Sequence, residues 1–311
     1  MARTHRLDGS LVHYEWNNAI RPRLQIDPGD TVVFDTRDAA DGHFTPASTH
    51  ADVLTRQYRG HPLSGPVSVR GARPGDTLVV EILAMKPAAP FGWTLIRAGR
   101  GLLPDTEFSV PFLQIWDLSD GRYARMAHGI AVPIEPFPGV MGVALDEAGS
   151  HTTMPPRKNG GNMDVKHLTA GATLYLPVWV DGALFSVGDG HAAQGDGEVC
   201  ISAVEIAAEV TLRFDLQPGR RLPEPRLRTG GPLAVGTNRG PHFATTAHGP
   251  DLFAAAQQAV RYMIEHLVAE RGLSREEAYV VASVAVDLKI SEIVDAPNWI
   301  VSAFLPESIF V

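Results

Sequence analysis

Short apolar runs recur through the first three quarters of the chain, each closed by a turn. Thr31–Thr36 (TVVFDT) and 77–85 (TLVVEILAM) are rich in β-branched residues, which suit a pleated, half-buried surface. Each follows a Pro-Gly-Asp turn, at Pro28 to Asp30 and Pro74 to Asp76. Proline presets φ at the second turn position and glycine supplies positive φ at the third. The pattern predicts further strands over 111–118, 121–126, 139–146, 173–180, 184–189, 198–206 and 209–216. Asp181-Gly182 reads as a hairpin turn between two of them. This spacing suits a sandwich or barrel, and no βαβ alternation supports a doubly wound sheet.

The period changes near residue 250. Over 251–271, Ala255, Ala259, Met263, Ile264 and Leu267 fall on one helical face, and Gly272 is placed to stop the helix. Ser274 with Glu277 forms a capping-box signature. A second helix is predicted from there to about residue 290, burying Ala278, Val281, Ala285 and Leu288. The expected organisation is a mostly β sandwich core over 1–249, with a C-terminal helical hairpin and tail over 250–311 packed on it.

Composition narrows the classes. The chain has 311 residues, 44% apolar and 20% charged, an ordinary globular balance. Its net charge of −8 gives no electrostatic footprint for nucleic acid. No apolar run reaches the roughly 18 residues of a membrane helix. The polar N-terminal residues lack the apolar stretch of a secretory signal. A lone cysteine, Cys200, excludes an internal disulfide framework and a cysteine-rich zinc site. The expected location is the cytoplasm. With 30 glycines and 24 prolines the chain must turn often, as all-β folds do.

Candidate chemistry concentrates in three segments. VGDGHAAQGDGEVC, from Val187, sets Asp189, His191, Asp196 and Glu198 among four glycines. Asp189 and His191 are two apart and share a face if extended. One histidine with two or three carboxylates suits a divalent ion of zinc or manganese type. A solvated Gly/Asp turn would show the same residues, and spacing alone does not choose. Gly160-Gly161-Asn162-Met163-Asp164 offers an amide and an acceptor that together can hold a primary amide, or merely cap the local backbone. In DTRDAADGH, from Asp35, Asp38 follows a strand and His43 lies in the next loop, with His50 and His61 beyond. Cys200 falls in the predicted 198–206 strand, where an inert buried thiol is the ordinary case. There is no Gly-x-Ser-x-Gly elbow around Ser186, no GxGxxG and no P-loop.

These segments resemble the acetamidase/formamidase family. The likeness is carried by HPLSGPVSVRGARPGDTLVVEIL from His61, GLLPD from Gly101, GVMGVAL from Gly139, GGNMDVKHLTAGATLYLPV from Gly160 and GDGHAAQGDGEVC from Gly188. It also extends to SREEAYVVASVAVDLKISEIVD from Ser274, so it runs over about 27–306. The resemblance implies a CUB-like β-sandwich, hydrolysis of a short amide such as formamide or acetamide to carboxylate and ammonia, and an oligomer, often a dimer. It also associates the family with metal. Asn162, Asp164, Asp189, His191, Gln194, Asp196 and Glu198 match its two strongest motifs. The chain departs from it at His43, where the family pattern carries a glutamine; an imidazole there could alter substrate contact or add a ligand. The 91–104 stretch, with Trp93, is peculiar to this chain and is expected to line the pocket.

The resulting expectation is a zinc-like divalent ion held by His191, Asp189 and Asp38. Glu198 and His191 act catalytically, and Asn162, Asp164, Gln194 and His43 contact the amide. A Cys200 thiolate with Glu198 as base is the alternative within enzymes, and a non-catalytic small-ligand sandwich the alternative outside them.

Overall fold

The computed structural model describes residues 2–104, 106–233 and 240–311; Asp105 of the GLLPD block lies outside them. Strand outweighs helix, 38% to 13%, so the mostly β expectation holds. One sheet has six strands in the order Thr4–Leu7, Thr31–Thr36, Ala208–Gln217, Thr77–Pro87, Thr173–Pro177 and Arg226–Arg228. A second, ten-stranded sheet is centred on Phe185–His191, which pairs with Phe137–Gly142, Glu205–Ile206 and Leu63–Val69. The two sheets share one core. Phe34 and Phe214 of the first meet Phe185 of the second, with ring centroids 6.1 and 5.0 Å away. Each such side chain contributes about 1.5–3 kcal/mol by leaving water.

The helical signals form as read. Leu252–Arg271 is capped by the Asp251 carboxylate, which accepts from Ala254 N at 2.7 Å, and ends at Gly272 with φ 66°. Arg275–Ala285 begins with the reciprocal Ser274–Glu277 box. This second helix stops five residues short of the expected end. Residues Asp287–Glu292 instead pair with Trp299–Pro306, whose other edge pairs with His242–Gly249. Leu288 therefore sits on a strand. The D-L-K-I alternation carries a two-residue period that a helical reading absorbs. The C-terminal unit is a three-stranded sheet with two helices, and its helices share the main core.

The 198–206 strand is also corrected. Only Glu205–Ile206 is strand, because Glu198 and Ile201 adopt φ of 44° and 83°, which an extended chain cannot accommodate. Glu198 and Cys200 do not share a strand face. No helix among the described residues is long and apolar enough to cross a membrane.

Candidate active site

Sheet register gathers the site. In the ladder around Phe185–His191, His191 is opposite Glu205 on one side and Phe137 on the other. Glu205 is in turn opposite Trp93. Asn162, at the end of Gly160–Asn162, is opposite Val140 of the Phe137–Gly142 strand. The two glycine-rich blocks therefore flank one central strand, and Asp164 and Asp189 reach the same cavity.

Gly139 makes this convergence feasible. A Cβ there would lie 2.6 Å from Asp164 Oδ1 and 2.8 Å from His191 Cε1. Its carbonyl accepts from Met163 N and Asp164 N at 3.2 and 3.3 Å, folding the Asp164 turn against the sheet. Asp164, Asp189 and Glu198 all have left-handed backbone, with φ of 49°, 57° and 44°. Such residues cost about 1–3 kcal/mol each and persist only where the surroundings hold them. Gly139→Ala is expected to leave the fold intact and lower turnover about a hundredfold, since displacement of reacting groups by about 1 Å has that effect. Steady-state kinetics with circular dichroism check it.

His191 is the hub, 1% exposed. Gln194 donates from Nε2 to the Asp164 carbonyl at 2.8 Å, so its Oε1, 2.9 Å from His191 Nδ1, must accept the imidazole N–H. That fixes Nε2 toward Asp189 Oδ1 at 3.5 Å, Glu205 Oε2 at 3.4 Å and Glu198 Oε1 at 4.0 Å. A lone pair there would face the ionised Asp189, so the geometry favours a proton, and with it positive charge, at Nε2. Burial disfavours imidazolium, but Glu205 and Asp189 overcome it and raise the His191 pKa well above its ordinary value. Burial opposes ionisation of Asp189 too, yet His61 and His191 hold its pKa below the usual range. Burial pushes Glu198 up to about 8 and Glu205 to about 7, against the pull of His191. Burial, with Glu198 nearby, raises Asp164 well above its ordinary value.

Four facing atoms, His191 Nε2, Asp189 Oδ1, Glu205 Oε2 and Asp164 Oδ1, are buried without a hydrogen-bond partner. Unpaired buried polar atoms are costly, and several converging on one point mark the place of a further group. Two sets bring their ligand atoms within 4.8 Å of one another: Asp164, Asp189 and His191, and His191, Glu198 and Glu205. One imidazole with carboxylates is a donor set that fits zinc or manganese. Gln194, on the other ring nitrogen, is the outer partner such a ligand usually has.

The carboxyls face a cavity of about 90 Å³, whose wall also includes Asn162, His61, Arg56, Trp93 and Leu95. A water needs about 10–15 Å³ on this measure, so the space holds roughly six to nine small groups, enough for a small amide. Asn162 Oδ1 is buried without a partner. Four expectations are relocated. Gln194 is absent from the cavity wall because both ends of its amide are engaged, so it orients His191. Asp38 joins neither ligand set, because its oxygens accept from Ala40 N and Gly42 N at 2.7 and 3.1 Å. His43 is exposed, bonded to the Asp52 carbonyl at 2.9 Å, and lines a neighbouring cavity of about 410 Å³. Asp196 turns away to Lys166, 3.5 Å off, while Lys166 forms a buried pair with Asp287.

Glu205, Arg56 and Tyr58 are among the wall residues that sequence reasoning did not name, and His61, named there without a role, is on the wall as well. Cys200 is fully buried, 3.5 Å from the Leu95 carbonyl and off the cavity wall; burial pushes its thiol up to about 11. A thiolate nucleophile finds no support there. Cys200→Ser is expected to keep amide turnover within about twofold of wild type in the same assay.

Comparison with known proteins identifies the class. The Acetamidase/Formamidase family profile matches residues 2–152 and 146–311. The formamidase of Methylophilus methylotrophus is 28% identical over 369 residues, covering 97% of this chain and 90% of that protein. The acetamidase of Mycolicibacterium smegmatis is 28% identical over 270 residues, covering 67% and 66%. Among solved structures, the gamma lactamase from Delftia acidovorans superposes with a TM-score of 0.91 at 27% identity, covering 99% of this chain and 93% of that one. The acetamidase from Bacillus halodurans gives 0.69 at 34% identity, covering 98% and 100%. The family match and these relatives make the chain an amidohydrolase acting on small amides. The chain belongs to the acetamidase/formamidase family.

Proposed function

We propose that the cavity beside His191 hydrolyses a small carboxamide at a divalent-cation site. The observation that carries this reading is the set of unpartnered buried atoms on His191, Asp189, Asp164 and Glu205 around one small cavity. His191, Asp189 and Asp164 would hold the cation, which leaves Glu198 free to carry protons. When bound, such an ion polarises a carbonyl and makes water more acidic.

The chain's own groups do the rest. Asn162 Oδ1 accepts from the substrate NH₂ and orients the carbonyl. Glu198 takes a proton from the attacking water as its oxygen bonds to the carbonyl carbon. The C–N bond then breaks and the nitrogen leaves with the proton that Glu198 returns, giving a carboxylate and ammonium. A carboxyl raised to about 8 is suited to accept and return protons near neutrality. The buried Trp93 and Leu95 supply apolar surface to the cavity wall.

A second reading, a cyclic amide as substrate, is favoured by the closer superposition on the gamma lactamase. The two differ in product, because a lactam opens to a tethered amine and releases no ammonia. The test is elemental analysis of the purified protein, with ammonia and primary-amine assays over formamide, acetamide, butyramide and pyrrolidin-2-one. Turnover should vanish on chelation and return with zinc or manganese. Cation affinity should rise with pH, because His191 must lose its proton to bind. Full activity in metal-free protein would remove the cation from this reading, and no turnover of any amide would end it.

A further inference from the structure

The cavity wall carries three arginines besides its carboxyls. Arg56, Arg97 and Arg100 all line the 90 Å³ cavity. Arg56 follows the short helix Asp52–Thr55, and the other two follow the strand Phe91–Ile96, in a turn where Arg100 N donates to the Arg97 carbonyl at 3.1 Å. Among the described residues none of the three forms an ion pair. Some arginines elsewhere do pair, as with Arg6 and Asp35, Arg70 and Asp27, Arg213 and Glu81, and Arg261 and Glu107. Three arginines thus share one small cavity with the four carboxyl groups, without an ion pair among the described residues.

Arg56 is the most constrained. Its guanidinium lies 5.6 Å from the Tyr58 ring centroid and 5.5 Å from that of Trp93, and one N–H is held by the Ala39 carbonyl. Stacking on aromatic faces fixes the guanidinium plane, and the remaining donors suit a carboxylate. Burial lowers the Arg56 pKa against the pull of Glu205, Asp38 and Asp189, and no carboxylate forms an ion pair with it among the described residues. Asp164, Asp189, Glu198 and Glu205 answer mainly to burial, His61, His191 and one another. Leu95, Met154 and Ile201 supply apolar wall for a short spacer.

We infer that the preferred substrate is an anionic amide, the monoamide of a short dicarboxylic acid, whose carboxylate is received by Arg56, Arg97 and Arg100 while its carboxamide faces the His191 cluster. This rests on the amide-hydrolase reading of the same cavity. The reaction is ⁻OOC–R–CONH₂ + H₂O → ⁻OOC–R–COO⁻ + NH₄⁺. The cavity of about 90 Å³ suits a short R of one or two methylenes.

The test compares malonamate with malonamide and succinamate with succinamide, pairs of near-equal shape that differ in charge. For one length the anion should show at least about tenfold higher kcat/KM, mostly through KM, because a charged acceptor strengthens hydrogen bonds to arginine. Raising KCl from about 0.05 to about 0.5 M should shrink that preference. Arg56→Gln should bring the ratio close to one, and the Arg97→Gln/Arg100→Gln double variant should lower it about threefold or more. Calorimetric binding of succinamate and succinamide to wild type and variants reads the same preference without turnover. Equal kcat/KM for charged and neutral partners, or a preference unchanged in all the variants, overturns the inference. Ammonia from formamide without charge preference leaves the amidase reading standing and removes this one. Selective succinamate binding with no hydrolysis of any amide does the reverse.

Discussion

Replacing Glu198 by glutamine is expected to lower amide turnover by about a thousandfold, in line with removal of a general base. The wild-type kcat/KM should rise with pH along a Glu198 limb, since only the carboxylate accepts a proton; without a cation this group is pushed up to about 8. A bound cation favours the ionised form and moves that limb to lower pH. The variant should lose the limb. It should also gain stability at high pH. The folded pKa of Glu198 is raised from 4.5 to about 8, so the unfolded chain binds fewer protons between those values and wild-type stability falls as pH rises through that window. Glutamine removes this dependence. At about pH 9 the variant should therefore melt a few degrees above wild type in cation-free buffer. Unchanged activity with an unchanged pH profile would remove Glu198 from the chemistry.

The second large effect runs the other way in stability. His191→Asn takes away the imidazole that faces Asp189, Glu198 and Glu205 within 4.0 Å. Turnover should fall about a thousandfold or more, and stoichiometric zinc or manganese binding should be lost. The melting temperature at neutral pH should drop by several degrees, because a buried charge cluster without its counter-charge is strongly unfavourable. The wild-type His191 pKa is raised, so its stabilising contribution is full below about 6.5 and fades as pH climbs through the raised folded value. Wild type and variant should therefore converge in stability at alkaline pH. Differential scanning calorimetry across pH reads this directly. Equal melting temperatures at neutral pH would contradict the charge balance described for the cluster.

Much of the site was legible along the chain because glycine marks where backbone must turn or approach closely. The GGNMD and GDGHAAQGDGE blocks carry Asn162, Asp164, Asp189, His191 and Glu198, five of the groups at or just behind the cavity wall. Glu205 was missed because a lone carboxylate within SAVEIAA looks like the polar face of a strand. Only the ladder shows it directly opposite His191. Its one local signal was a charge within an apolar run close to the glycine-rich block. Arg56 carries no local signal, and His61 stands out only by its Gly-His-Pro setting, since the fold brings both to strands far away in sequence. Asp38 and Gln194 illustrate the opposite failure. Their residue types fit ligation and amide binding, but their polar atoms are satisfied by a turn and by an imidazole. The second helix was overextended for a related reason: Leu288 continues a helical face on paper, while the tail at Trp299–Pro306 offers strand pairing that a local pattern does not contain.

The architecture follows from the same facts. Because both glycine-rich blocks flank Phe137–Gly142, the acids are held by sheet register, with left-handed corners aiming Asp164, Asp189 and Glu198 inward. The C-terminal unit braces the loop between His191 and Glu198 through Gly195 N to the Ser283 carbonyl at 2.9 Å and Leu288 N to the Asp196 carbonyl at 3.0 Å. Fold stability and catalytic geometry are thus set by shared contacts.

The most direct measurement is a crystal structure of Glu198→Gln soaked with its best amide substrate. The amide should occupy the cavity between Asn162 and the His191 cluster, its NH₂ within about 3.2 Å of Asn162 Oδ1 and its carbonyl turned toward Asp189 and Asp164. An amide seated elsewhere, with this cavity filled only by solvent while wild type turns the same compound over, would contradict the account.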